Sequence, residues 1–194
     1  AGLARRNSAA AGVIRIGVPP GLDRPIFGPA IAAMRASHPS IEIVWASVID
    51  AHPVRDGYDV VITERRVVDE ELVARKLLST RDVCVASSTY LRRRGRPLSA
   101  RDLLEHDALV LDTDRAKSEW PLARGGTVAV NAALRCDHYG LILEAARHDV
   151  GIALVPQLMV ALEPDRVLET VLENVVGSRR DIHLTYGRDA RRRG

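Results

Sequence analysis

Short apolar runs and helical-spaced apolar positions take turns along the first part of the chain. Val13 to Val18 reads as a strand, ended by Pro19-Pro20-Gly21 because proline lacks a backbone donor and glycine permits a sharp turn. Phe27, Ala30, Ile31, Met34 and His38 recur at three- and four-residue spacing, which predicts a helix burying that face, with Asp23 as its cap and His38-Pro39 as its stop. Ile41 to Ser47 and Tyr58 to Thr63, the latter after the Asp56-Gly57 turn, read as the next strands. A strand, helix, strand series implies parallel pairing with right-handed crossovers. Leu72 to Leu78 and Asp82 to Ala86 add two more strand-like runs.

Beyond residue 86 the pattern restarts. Short helices are predicted at Thr89 to Arg94 and at Ala100 to Glu105, the second capped by Ser99. Asp107 to Leu111, Thr127 to Val130, Gly151 to Val155, Val167 to Leu172 and Ile182 to Tyr186 read as strands, and Asp137 to His148 and Pro156 to Leu162 as helices. The simplest layout is an α/β fold of two units joined by extended crossings.

No motif of catalysis accompanies this pattern. G-x-S-x-G, G-x-x-x-x-G-K-[ST] and H-E-x-x-H are all absent, and the six histidines show no pair at ligand spacing. Asp107, Asp112 and Asp114 cluster, but in what reads as a solvated polar connection. The expectation is therefore no catalytic residue, no metal and no cofactor, and a binding protein instead of an enzyme. In open α/β sheets, ligands sit beyond the carboxyl ends of the strands, where loops lead into helix starts with free amide donors. Here those loops are Val18 to Leu22, Ser47 to Asp50, Glu64 to Val67 and Cys136 to Tyr139, and two lobes presenting them would enclose a cleft for a small ligand.

A formal net charge of +3 raises the question of nucleic acid, and the location of that charge answers it. Residues 1–12 carry Arg5 and Arg6 without an acid, and residues 187–194 carry Arg188, Arg191, Arg192 and Arg193 against Asp189. The tails thus hold +2 and +3 and the body between them −2, a poor surface for phosphates. Cys84 and Cys136 lack C-x-x-C spacing and lie in or beside apolar stretches, which reads as small buried thiols in a reducing compartment. No apolar run approaches the roughly 18 residues that span a bilayer, and the arginines of Ala1 to Gly12 are followed by no signal-like apolar region. A cytoplasmic protein with no membrane partner is expected, and its opening on Ala1 suggests a fragment of a longer chain.

Several blocks carry a family resemblance. Ile14-Arg15-Ile16-Gly17, a helix ending in Met34-Arg35-Ala36-Ser37-His38-Pro39, and then Ile41-Glu42-Ile43 look like the opening of the effector-binding domain of LysR-type transcription regulators. Asp56-Gly57-Tyr58-Asp59-Val60-Val61-Ile62 is similar to that family's G-x-D-x-A-I strand. Tyr90-Leu91-Arg92-Arg93-Arg94-Gly95-Arg96-Pro97 before Asp102-Leu103-Leu104-Glu105-His106 is the most specific block, and Ala145-Ala146 with Val150-Gly151-Ile152-Ala153-Leu154-Val155-Pro156 resembles the A-A-x-x-G-x-G-I-A-x-x-P run. The likeness covers residues 13 to about 186, in matching order.

The resemblance implies two Rossmann-like subdomains with a cleft between them, as in type 2 periplasmic binding proteins. Residues 1–12 would be a linker remnant, 13–80 plus 187–194 the first subdomain and 81–186 the second. A small-molecule inducer or corepressor would bind in the cleft, the chain would form a homodimer (a tetramer in the full-length bacterial protein), and DNA would be reached only through a helix-turn-helix domain outside this chain. The alternative within the same architecture is a solute-binding protein of a transport system. Two departures stand out: Val48 to Asp56 is short and contains Pro53, which argues against a crossover helix there, and a basic tail replaces the family's final helix.

By loop position the effector contacts would be Pro20, Gly21, Ser47, Glu64, Arg65, Asp137 and His138. Blander roles compete at several of these: a backbone-satisfied hydroxyl for Ser47, a helix N-cap for Asp137, a solvated helix start for His138 and a surface pair for Glu64 with Arg65. Arg65, beside helix starts that offer amide donors, points to an effector bearing a carboxylate.

Overall fold

The structure, a computed structural model, describes residues 12–48, 51–64, 69–111, 118–161 and 167–189, with the backbone alone for 23–26. They form two compact units, one from the described parts of 1–19, 23–77 and 183–194 and the other from 20–22 and 78–182. Apart from the short excursion of residues 20–22, the chain passes between them at Leu77/Leu78 and at Ile182/His183, where the sequence reading places the crossings after residues 80 and 186.

In the first unit, β1 (Gly12–Val18) pairs in parallel with β2 (Ile41–Ser47) and with β3 (Val60–Thr63). The closing strand is β11 (Arg179–Gly187), antiparallel to β3 through His183, Leu184 and Thr185. Val18, Ile41, Val61 and Ile62 are buried, and the fully buried Thr185 hydroxyl donates to the Val61 carbonyl at 2.8 Å. The first helix, α1 (Asp23–Ser37), joins β1 to β2 and continues through Pro29, which lacks the backbone donor for one helical bond. Its apolar face departs from expectation: Phe27, Ile31 and Met34 are half-buried and Ala30 and His38 are exposed. The reason lies in what it covers, since Phe27 packs edge-on against Trp45 of β2, with ring centroids 4.8 Å apart, and β2 is the edge strand of its sheet. Between β2 and β3 the described residues 51–59 form turns and no helix, in keeping with Pro53.

In the second unit the strands are ordered β10, β4, β9, β5, β8. One uninterrupted strand, β4 (Leu72–Ser87), replaces the two runs read from the sequence, because Ser79, Thr80 and Arg81, which separate those runs, continue the extended backbone. It pairs antiparallel with β9 (Ile152–Pro156) and β10 (Leu168–Val171). Strand β5 (Asp107–Leu111) runs parallel to β9 and to β8 (Asn131–Cys136), and β6 (Glu119–Pro121) and β7 (Thr127–Ala129) form a separate ribbon.

Alternation along these strands divides the core between two faces, as the two-residue period of a strand requires. Cys84, Ala86, Ala108, Val110 and Ile152 point to one face, with Tyr90, Leu103 and Trp120. Val83, Val85, Leu109, Ala153 and Val155 point to the other, under Ile142, Leu143, Ala146 and Met159. Helix α2 (Ser88–Arg94) and a 3-10 helix (Ala100–Glu105) serve the first face, and α3 (Tyr139–Arg147) and α4 (Gln157–Ala161) the second. Ser99, the expected cap of the 3-10 helix, forms a capping box with Asp102. Cys84 is buried, which pushes its thiol pKa far up, while Cys136 is only half-buried, so the pair of enclosed thiols is realised at one position.

Two polar clusters are folded into this unit. Asp82, where the pairing of β4 with β9 begins, accepts from Arg180 of β11 (Nη2 to Oδ1, 2.6 Å) and from the Ser178 hydroxyl (2.8 Å), and its backbone N–H donates to the Ser178 carbonyl (2.9 Å). Asp107 is not in a solvated connection: it begins β5, where its N–H donates to the Tyr90 hydroxyl at 2.9 Å, and that hydroxyl lies 3.2 Å from His106 Nδ1. Burial first, and then the nearby positive charge of Arg94, hold His106 below the ordinary imidazole pKa of 6.5.

Asp82 has a side chain only 3% exposed, so Asp82→Ala should destabilise the fold by about 3 kcal/mol by stranding Arg180. Adding Arg180→Met should restore part of this in denaturant unfolding; no loss in the single variant would show that the pair is unimportant. The lowered pKa of His106 sets a pH dependence. As pH falls through 6.5 the unfolded chain takes up the proton first, so stability declines from there down to the folded-state pKa. His106→Gln should flatten the decline between pH 7 and 5 in thermal melts, and an unaltered slope would assign it to other groups.

Candidate functional site

Parallel pairing gathers strand ends at one edge of each unit. In the first unit Val18 is in register with Ser47, the Val48 N–H donates to the Val18 carbonyl at 2.9 Å, and Glu64 follows the last residue of β3. Ser47 is exposed and Glu64 half-buried, so both are placed at the carboxyl edge as the sequence reading requires. Arg65, and with it the proposed pairing to Glu64, lies outside the described residues, as do Asp112 and Asp114.

In the second unit the carboxyl ends of β5, β8 and β9 share an edge. There β8 leads through Asp137 and His138 into α3, and β9 leads into Gln157. Pro20, Gly21 and Leu22 pack with this unit although they follow β1 in sequence. Gly21 has a φ of 85°, and a Cβ there would meet Tyr139 Cδ2 at 2.6 Å and the Met159 sulfur at 3.2 Å. Only glycine permits so close an approach, which seats the loop after β1 on the first turn of α3.

The cap of that helix is a correction to the sequence reading. His138, and not Asp137, is the N-cap: its Nδ1 accepts from the Leu141 N–H at 3.2 Å. A neutral ring with Nδ1 unprotonated is needed for this bond. Gly140 makes the geometry possible, since a Cβ on it would come within 2.7 Å of the imidazole Cε1. Asp137 stands exposed in the bend before the cap, and Cys136 offers its thiol to the His138 carbonyl at 3.5 Å.

The fold thus brings Pro20, Gly21, Asp137 and His138 to one unit and Ser47 and Glu64 to the other. Tyr139 and Gln157 share that edge in the second unit and were not singled out in the sequence. Position alone could have found them, because each opens a helix directly after a strand or its cap. Among the described residues no group of three histidine, cysteine or carboxylate side chains could hold a metal ion, and no helix is long and apolar enough to cross a membrane. The arrangement offers amide donors, hydroxyls and an imidazole in exposed loops, which suits reversible binding of a small polar molecule.

Comparisons with known proteins agree with the two-unit α/β architecture. The regulatory domain of CrgA, a LysR-type transcriptional regulator from Neisseria meningitidis, superposes with a TM-score of 0.80 over 94% of this chain and 92% of its own, at 19% identity. Full-length AphB, a virulence activator of Vibrio cholerae, superposes with a TM-score of 0.78 at 26% identity, over 94% of this chain and 64% of its own. In sequence, the helix-turn-helix-type transcriptional regulator YhjC of Escherichia coli is 30% identical over 178 residues, 82% of this chain and 56% of that protein. PgrR of the same organism, also a helix-turn-helix-type transcriptional regulator, is 27% identical over 96% of this chain and 65% of its own length. The chain therefore spans less than two thirds of these curated relatives. The family model described as the LysR substrate binding domain matches residues 7–193, nearly the whole length. The chain accordingly belongs to the LysR substrate-binding domain family, whose fold is that of type 2 periplasmic binding proteins and whose members are the effector-binding parts of transcription regulators.

Proposed function

We propose that this chain is the ligand sensor of a bacterial, cytoplasmic LysR-type regulator that binds a small-molecule effector and carries out no bond-making step. The observation that carries this reading is the family match over residues 7–193. The effector contacts assigned to the carboxyl-edge loops are Pro20, Gly21, Asp137 and His138 in the second unit and Ser47, Glu64 and Arg65 in the first. The effector's differential affinity for two states of the protein would shift the conformation of an attached DNA-binding domain, through which alone DNA is contacted. A transport-system solute-binding protein remains the alternative of the same architecture, and the regulators among the sequence relatives favour the sensor. Self-association, as a homodimer here and a tetramer in a longer protein, is supported by β2 and β8, which end the strand order at either side with no further partner among the described residues.

A thermal-shift screen of metabolites tests the sensor reading, since a ligand present at ~100 times its dissociation constant adds ~2.7 kcal/mol of stability. Once an effector is found, Arg65→Ala should weaken it by ~1.5–3 kcal/mol if the guanidinium holds a carboxylate. Unchanged affinity in a folded Arg65→Ala protein removes the reason to expect an acid. His138→Asn separates capping from binding, because asparagine also caps well; folding should stay within about 0.5 kcal/mol while affinity falls. Equal affinity would leave His138 as a cap alone. Sedimentation should show dimers in the micromolar range, and monomer throughout would count against pairing through these edges.

A further inference from the structure

A cavity of about 370 Å³ lies wholly within the second unit, at the β4 side of the sheet, and through Gln157 it reaches the carboxyl edge that His138 shares two strands away. Its walls come from the entry of β4 (Ser79 to Val83), from Gln157, and from the segment between β10 and β11 (Glu173 to Arg179), with Ala123 beside them. Strands β9 and β5 separate β4 from β8, so this cavity is distinct from the loop site at the start of α3. Its volume falls in the range of small-ligand pockets.

The walls carry two arginines, Arg81 and Arg179, and two carboxylates, Glu173 and Asp82, both of which already have partners. Arg81 donates through Nε to Gln157 Oε1 (3.1 Å), through Nη1 to Asn174 Oδ1 (2.6 Å) and through Nη2 to Glu173 Oε1 (2.5 Å). A guanidinium has five N–H groups, so two stay uncommitted to these partners. Gln157 and Asn174 spend their carbonyl oxygens on Arg81, and their NH2 groups have no acceptor among the described residues. Thr80 is only 8% exposed, and its enclosed hydroxyl has no hydrogen-bond partner there. An enclosed polar group without a partner is costly, and a ligand or water can satisfy it. Arg179 adds a second positive charge with no ion pair among the described residues, whereas Asp82 is already engaged by Arg180 and Ser178.

Donors therefore outnumber free acceptors, and the complementary ligand brings acceptors and negative charge. The cavity is far larger than an inorganic ion needs, and Val83, Val176 and Ala123 supply apolar wall. We infer that this cavity is a second ligand site, which takes a small organic carboxylate with its acid group on Arg81 and its body against Val83 and Val176. The site does not depend on the effector reading, because none of the loops assigned to the effector lines it.

Two-dimensional amide NMR of the whole chain, titrated with benzoate, phenylacetate and succinate to about 10 mM, tests this at the affinity expected of such simple acids. At least one acid should give saturating shifts at Thr80, Asn174, Gly177 and Ser178, and benzamide, the neutral counterpart of benzoate, should bind at least ten-fold more weakly than benzoate if benzoate is that acid. Arg81→Gln should lower the affinity ten-fold or more while the thermal melt stays near that of the parent, since Arg81 and Glu173 are a partly exposed pair of small energetic weight. Ala123→Trp, which fills the cavity and leaves Arg81 in place, should abolish the shifts independently. The inference is overturned if no acid shifts these amides, if the shifts survive both variants, or if benzamide matches benzoate. Shifts confined to Gly21, Ser47 and His138 would also overturn it, and would support the effector site in its place.

Discussion

Both strands that leave the second unit are fastened beside one enclosed carboxylate. Asp82 of β4 receives Arg180 of β11 and the hydroxyl of Ser178, and the Asp82 N–H returns a bond to the Ser178 carbonyl. Little solvent reaches it, so each bond is stronger than at the surface and none can be lost cheaply. Within five residues along each strand the chain has passed to the other unit. The pairing thus fixes the mutual register of β4 and β11 at the point where the chain departs, and the segment from Glu173 to Arg179 that walls the cavity is held by the same contacts.

From that anchor the rest follows by strand geometry. Because β5, β8 and β9 run in parallel, their carboxyl ends share an edge, and the chain must enter α3 and α4 there. The unpaired amides of a helix start suit that edge to polar ligands, which is the basis of the proposed effector contacts. Gly21 ties the loop after β1 to the same place by letting backbone rest on Tyr139. Function in such a fold resides in loops placed by a buried scaffold, which is why the two faces of the β4–β9–β5 core are nearly all apolar while the edge is polar.

Much of this was legible in the residues. The apolar run Asp107 to Leu111 is β5 as read, Ser99 is the cap of the 3-10 helix as read, and the motif blocks identified a family that the comparison over residues 7–193 bears out. Other elements were not. Strand β8, Asn131–Cys136, is rich in alanine and carries asparagine and arginine, so its apolar signal is weak; it is extended because β5 offers it a partner. Asp137 satisfies the rule for an N-cap, yet His138 takes the role because Gly140 opens room for its ring. The helical spacing in α1 correctly marks an apolar face, but not that its cover is an edge strand that leaves Ala30 and His38 in solvent.

Local pattern, turn chemistry and motif order by themselves determined most of the strand and helix series, the α/β class and the family, and they named the loops proposed to take a ligand. These are properties of neighbouring residues, whose spacing along the chain is also their spacing in a helix or strand. Only the tertiary structure decided that Asp107 joins Tyr90 and His106, that Arg180 reaches Asp82, and that Arg81, Gln157 and Asn174 meet around a cavity. Each of these unites segments between 16 and 98 residues apart. Their contact is set by strand order, and strand order follows from how the whole apolar core can be buried at once.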